Sequence, residues 1–140
     1  MKLYTYLNFG GNCLEAFTYY EQHLGAKILS KMLFSDMPGN PHPPEAQHFM
    51  LHGRLAIGDT FIMASDVPPP MKWEPMHSAY LTLQVTSDEE AERIHAALSD
   101  GGEIFMPMAE TFYATRFSML RDKFGINWMI IHEKPMPQPA

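Results

Sequence analysis

The chain is written twice. Tyr4, Gly25 and Ile28 recur 76 residues later as Tyr80, Gly101 and Ile104, and the same order of signals stands in each half. That order is a short alternating run, a helix cap, an amphipathic stretch, a glycine stop and a further alternating run. A repeat of this length is one supersecondary unit that cannot bury its apolar face alone. Two copies are therefore expected to pair around a shared core, and the sheets of such pairs tend to leave a cavity.

In the first half, residues 3–9 have strand periodicity, with Leu7 and Phe9 on one side and Tyr4, Tyr6 and Asn8 on the other. Gly10-Gly11 breaks the run. Asn12 with Glu15 reads as a capping box for a helix reaching about Leu24, with Ala16, Phe17, Tyr20 and Leu24 on one stripe. Gly25 supplies a left-handed stop. Strands are expected at 27–34, 47–57 and 60–65, with a turn at Gly58-Asp59. Pro38-Gly39-Asn40-Pro41-His42-Pro43-Pro44 must be a surface loop, because prolines lack the donor that helix and central strand need.

The second half repeats the plan. A strand is expected over 79–85, with Tyr80, Thr82 and Gln84 on one side, then a helix capped by Ser87 and Glu90 and buried through Ala91, Ile94 and Leu98. Gly101-Gly102 ends it, and strands follow at 103–107, 115–121 and 126–132. The turn glycines Gly58 and Gly125 are 67 residues apart, so the first half holds the larger insertion, in its proline-rich loop. The boundaries are a first module at 1–66, a proline-rich linker at 67–77, a second module at 78–134 and a tail at 135–140. Each module reads β-α-β-β-β.

Composition removes several function classes. The net charge of −6 argues against a nucleic-acid partner. No stretch approaches the roughly 20 apolar residues of a membrane span. No signal-peptide pattern opens the chain, and the one cysteine, Cys13, allows no internal disulfide, so a cytoplasmic location is the expectation. Twelve methionines suit a core and also an adaptable apolar pocket.

The phrases Tyr6-Leu7-Asn8-Phe9, Asn12, Glu15-Ala16-Phe17, Tyr20, Met37-Pro38-Gly39, Gly58, Ser65-Asp66, Glu110-Thr111-Phe112, Arg116-Phe117, Met119, Asp122, Phe124-Gly125 and Trp128-Met129 occur in an order that resembles the PhnB-like branch of the vicinal oxygen chelate superfamily. That superfamily includes glyoxalase I, bleomycin-resistance proteins and extradiol dioxygenases. The resemblance spans about residues 4 to 133. It implies an α+β fold of two tandem βαβββ modules forming a curved, partly open mixed β-sheet cleft with helices outside, and a homodimer. Glu110 and Arg116 match the family phrase and are expected to pair near the cleft mouth. Tyr113-Ala114-Thr115 stands where the phrase usually has Trp-Gly-Asp, which leaves this loop's family role open.

Catalytic members hold a divalent metal through His or Gln on the first strands and Glu on the last. The matching positions here are Tyr4, Met63, Tyr80 and Met129, each within about one residue. Phenols and thioethers are poor ligands for such cations. No metal and no cofactor are therefore expected. His48 and His52, four apart on one expected strand, share a face, but strand histidines more often meet solvent or local partners than a metal. Cys13 sits at a helix N-terminus, where a thiol pKa is lowered, without an identifiable partner.

The remaining expectation is a pocket. Phe49, Leu51, Leu55 and Ile57 suit the helix, leaving His52, Arg54 and Met50 toward the cleft. Tyr4, Tyr6, Asn8, Tyr80, Thr82 and Gln84 join them, with Met63, Met119 and Met129. A mostly apolar lining with a few convergent polar groups fits a small molecule. Arg54 suits a carboxylate or phosphate, or an acidic neighbour in its own chain. The reading is a metal-independent small-molecule-binding protein, with the ligand held in the cleft between modules. The alternative is a superfamily enzyme (isomerase, lyase or dioxygenase) with a relocated metal or acid/base catalysis through His52, Tyr80 and Arg54. Methyl transfer gains no support, since Gly10-Gly11 opens no Gly-rich nucleotide loop in a parallel βαβ series.

Overall fold

Alternation becomes strand in both halves of the computed structural model, which describes residues 1–135. The tail expected over 135–140 thus lies outside the described residues from Met136 on. The first half runs β1 (Tyr6–Phe9), α1 (Cys13–Leu24), β2 (Lys27–Leu33), β3 (Met50–Ile57) and β4 (Thr60–Asp66). The second runs β5 (Leu81–Gln84), α2 (Asp88–Ser99), β6 (Glu103–Ala109), β7 (Ala114–Arg121) and β8 (Asn127–Glu133). The sheets have the orders β1-β4-β3-β2 and β5-β8-β7-β6, each with its first strand parallel to its last and the other pairs antiparallel. These are the two βαβββ modules expected from the repeat. The chain divides into two units after Glu74.

Each helix buries the stripe its sequence marks. Cys13, Ala16, Phe17 and Tyr20 of α1 are fully covered, as are Ala91, Ile94 and Leu98 of α2, and each helix packs on the last three strands of its own unit. Gly25, at φ +65°, ends α1 in the left-handed region. Ser87 caps α2 by accepting from the Glu90 N–H at 3.1 Å.

The α1 cap differs from the Asn12–Glu15 box. Asn12 has φ −121° and ψ 27°, which turns its side chain away from the first-turn N–H groups, and its buried Oδ1 has no partner. Asp66, buried at the end of β4, replaces it. Its Oδ1 accepts from Gly11 N at 2.8 Å and Cys13 N at 3.0 Å, and its Oδ2 accepts from Met50 N at 2.7 Å. The second unit also buries a carboxylate with three donors. Asp122 accepts from the backbone of Phe124 and Ile126 and from the Trp128 indole at 2.8 Å.

The expected linker at 67–77 is secured on both sides of its middle. Val67 N donates to Phe9 O at 2.8 Å, and the Trp73 indole donates to Asn8 O at 3.0 Å, its ring lying against Gly10. Past Pro75, Met76 N donates to Gly125 O, and Met76 O accepts from Arg121 at 2.6 Å and Asn127 at 3.1 Å.

Candidate functional site

In the first sheet, Leu7, Phe9, Leu55, Ile62 and Ala64 face α1, while Tyr6, Asn8, Arg54, Met63 and Ser65 take the opposite, open face. Register aligns one open-face row across all four strands: Tyr6 beside Met63, Met63 beside Arg54, Arg54 beside Ser30. The second sheet aligns the equivalent row of Thr82, Met129, Met119 and Met106. Tyr6 and Ser30 stand 76 residues before Thr82 and Met106, so the duplication holds down to single side chains.

Each β2-like strand carries a bulge at the same repeat position. Between Ile28 and Ser30 the partner strand advances one residue while β2 advances two, which leaves Leu29 extra. Phe105 is extra in the same way between Ile104 and Met106. A further bulge at Leu51 corrects one expectation. It reverses the alternation before it, so Met50 turns inward with Gly53 and Leu55, fully buried beneath Phe17, and leaves the open face. The same offset separates the two histidines. His48 precedes β3 and lines a groove of about 520 Å³ along the outer side of α1 with Asn12, Glu15, Tyr19 and Leu33, whereas His52 lies beside Tyr6 with ring centroids 5.9 Å apart. They share no face.

All eleven residues singled out from the sequence lie on strands, or just before them, with open-face alternation. Tyr4 packs on Phe61, ring centroids 5.5 Å apart, and the Arg54 guanidinium sits 5.5 Å from the centre of the same ring. Asn8 accepts from Ser65 at 3.3 Å. In the second sheet Tyr80 meets Phe105 edge-on at 6.4 Å, and the Arg121 guanidinium lies 5.3 Å from that ring. Arg121 is held by Asn127 at 3.0 Å and by Met76 O. Both faces thus carry a tyrosine–phenylalanine–arginine group. Phe61 and Arg121 were within reach of sequence reasoning, each two residues from a named methionine on its own strand. Phe105 was not, because only the bulge turns it.

Cys13 agrees with a sequence reading that found it no partner, while Arg116 and Glu110 depart from theirs. Cys13 is fully buried, and burial, followed by the nearby Asp66 charge, pushes its thiol far above the usual range, the reverse of an activated nucleophile. Arg116 pairs with Glu92 at 3.0 Å and Asp88 at 3.5 Å, and Glu110 pairs with Lys134 at 3.1 Å, so the expected Glu110–Arg116 pair does not form. Asp88 accepts from Thr115 at 2.6 Å and from His132 Nδ1 at 2.8 Å, and these bonds hold its carboxyl below the usual value. His132 presents the same Nδ1 to both Thr115 and Asp88, so it cannot relay a proton between them as a nucleophile–base–acid set requires.

Tyr4, Met63, Tyr80 and Met129, the positions that the sequence resemblance assigns to metal ligands, are phenols and thioethers that do not fit a divalent metal. Register brings Tyr6 and Arg54 beside Met63, and Thr82 and Met119 beside Met129, so neither methionine gains a carboxylate or imidazole from its strand neighbours. Among the described residues no three His, Cys, Asp or Glu side chains converge as a metal site. None of the helices among those residues is long and apolar enough to cross a membrane.

Comparison with known proteins agrees with this architecture. A family model described as 3-demethylubiquinone-9 3-methyltransferase matches residues 1–131. Protein YjdN of Escherichia coli is 36% identical, covering 98% of this chain and 99% of its own. The crystal structure of protein PA1353 from Pseudomonas aeruginosa superposes with a TM-score of 0.85 at 38% identity, over 96% of this chain and 99% of that one. A putative 3-demethylubiquinone-9 3-methyltransferase, PhnB protein, from Bacillus cereus gives 0.78 at 22%, over 94% and 99%. The fosfomycin resistance protein FosX from Listeria monocytogenes, as a mutant complexed with Mn(II) and a dihydroxypropylphosphonic acid, shares the fold at a TM-score of 0.62 and 13% identity, over 94% and 90%. The chain belongs to the family described as 3-demethylubiquinone-9 3-methyltransferase.

Proposed function

We propose that this protein binds a small, partly apolar molecule against the open faces of its sheets, without a metal, and works as a cytoplasmic homodimer. The observation that carries the reading is the pair of matched rows, Tyr6–Met63–Arg54–Ser30 and Thr82–Met129–Met119–Met106. They combine adaptable thioethers with a few hydroxyl and guanidinium donors, as small-molecule recognition requires. They offer no imidazole or carboxylate where metal-dependent relatives place their ligands. A ligand at about a hundred times its Kd should stabilise the fold by about 2.7 kcal/mol. In a thermal-shift screen of small aromatic and aliphatic compounds, shifts should persist in EDTA, and divalent ions alone should give none. Near-stoichiometric zinc, iron, nickel or manganese by elemental analysis, removed by EDTA together with the shifts, would overturn the metal-free reading.

Methyl transfer, named in the family's description, draws no support from the first strand–helix junction. The Gly11 and Cys13 N–H groups there already bind Asp66 and are not free to cradle a cofactor. The neighbouring Tyr6 and His52 favour a second reading, acid/base catalysis on a bound substrate. Turnover that His52→Gln abolishes while binding persists would distinguish it.

The dimer is supported by exposed apolar side chains on the sheet-edge strands, Leu29 and Met32 on β2 and Ile104, Phe105 and Met106 on β6. Light scattering behind size exclusion should give about twice the chain mass, and a 16.0 kDa species would sink it.

A further inference from the structure

The open face of the first sheet has a charge that the rest of the chain does not. Asp and Glu outnumber Lys and Arg by sixteen to ten overall. Yet the positions that alternation and register place on this face hold Lys27, Arg54 and His52 and no carboxylate. An acidic protein that clears one sheet face of acids while keeping cations there has a field suited to a negative ligand.

Arg54, like Lys27, is a cation on this face without an acceptor, and it is the one that rests on a ring. Among the described residues it makes no ion pair and no hydrogen bond, in contrast to Arg116, which is tied to Asp88 and Glu92, and Arg121, which is tied to Asn127 and Met76 O. Its guanidinium rests 5.5 Å from the centre of the Phe61 ring, which is braced in turn by Tyr4. A guanidinium held by a ring loses less freedom on binding and keeps its in-plane N–H fork for a planar or tetrahedral oxyanion. Met63 and Tyr6 complete its row as apolar and aromatic surface.

We infer that Arg54 is the anchor for an anionic group, a carboxylate or a phosphonate or phosphate monoester, on a ligand whose apolar part lies over Met63, Tyr6 and Phe61. This rests on the binding reading above and adds the charge of the ligand to it.

Benzoate, phenylphosphonate and neutral benzamide present the same ring with different head groups. Titrated into the full-length protein and followed by calorimetry and ligand-observed NMR, at least one anion should bind about tenfold or more tighter than benzamide, and more weakly at higher salt. Arg54→Ala should weaken the anion by about 10- to 100-fold and leave benzamide unchanged, with Arg54→Lys between, because the ammonium keeps the charge and loses the fork. The tighter of the two anions identifies the head group. Arg54 is exposed, so the alanine variant should keep its melting temperature, which separates lost binding from lost fold. Benzamide binding as tightly as both anions, or Arg54→Ala without effect on them, overturns the anion inference and leaves the binding reading standing. No binding by any of the three at millimolar concentration overturns both.

Discussion

Asp66→Ala should destabilise the first unit by about 3–5 kcal/mol, the range expected when a buried charged acceptor is removed and its donors stay behind. Three backbone N–H groups lose their partner at once: Gly11, Cys13 and Met50. They sit on three separate pieces of chain, the β1–α1 junction, the start of α1 and the start of β3, so the carboxylate ties local elements into one unit. Asp66→Asn should cost less. Its remaining oxygen can still serve Gly11 and Cys13, while its amide turns a donor toward the Met50 N–H. A urea titration should show a lower midpoint in the order wild type, Asn, Ala. Amide exchange should speed first at Met50 in the Asn variant and at all three positions in the Ala variant. Unchanged protection at these amides would show that the carboxylate does not carry them.

Gly102→Ala is the second large effect, about 2–3 kcal/mol, the scale of overpacking where the surroundings cannot yield. A Cβ at this position would fall on the Arg121 carbonyl oxygen, with the Arg121 carbonyl carbon and Asp122 Cα within 3.2 Å. All three are backbone atoms, so no rotamer change relieves the contact, and β6 must move away from β7 at the Glu103–Arg121 pair. Its neighbour gives the control. Gly101 has φ +75° but meets only the flexible Lys123 side chain at 3.4 Å. Gly101→Ala should therefore cost only about 1 kcal/mol, from its left-handed backbone. Equal midpoints for the two variants would show that the Gly102 contact relaxes freely.

The parts of the fold legible in the sequence are those set by local periodicity. Alternation at Tyr6–Phe9 and Leu81–Gln84, the stripes of α1 and α2 and the stop at Gly25 need no knowledge of neighbours, and the 76-residue repeat supplies the topology. The misread details all depend on tertiary register. Met50 and His48 change sides because of one extra residue at Leu51, which no periodicity announces. Asn12 looks like a cap until an aspartate 54 residues away occupies its place. Arg116 has several acids within plausible reach, and only the position of α2 beside β7 chooses Asp88 and Glu92 over Glu110. Tyr6, Arg54, Met63, Thr82, Met119 and Met129 of the open-face rows were legible from alternation along their strands, whereas Ser30 and Met106 join the rows only across the bulges. Their aromatic partners were only partly so, since Phe105 reaches Tyr80 and Arg121 from a bulge.

The paired bulges at Leu29 and Phe105 also govern how the molecule tolerates its own edges. β2 and β6 each form one of the two edges of their sheets, and both expose apolar side chains. A straight strand of that composition would be a template on which further copies could stack without limit. The extra residue breaks the spacing of free N–H and C=O groups partway along, so an incoming strand can zip only a few residues before it falls out of step. Contacts made there must then be side-chain contacts of finite extent, which favours a closed, reversible pair over a growing fibre.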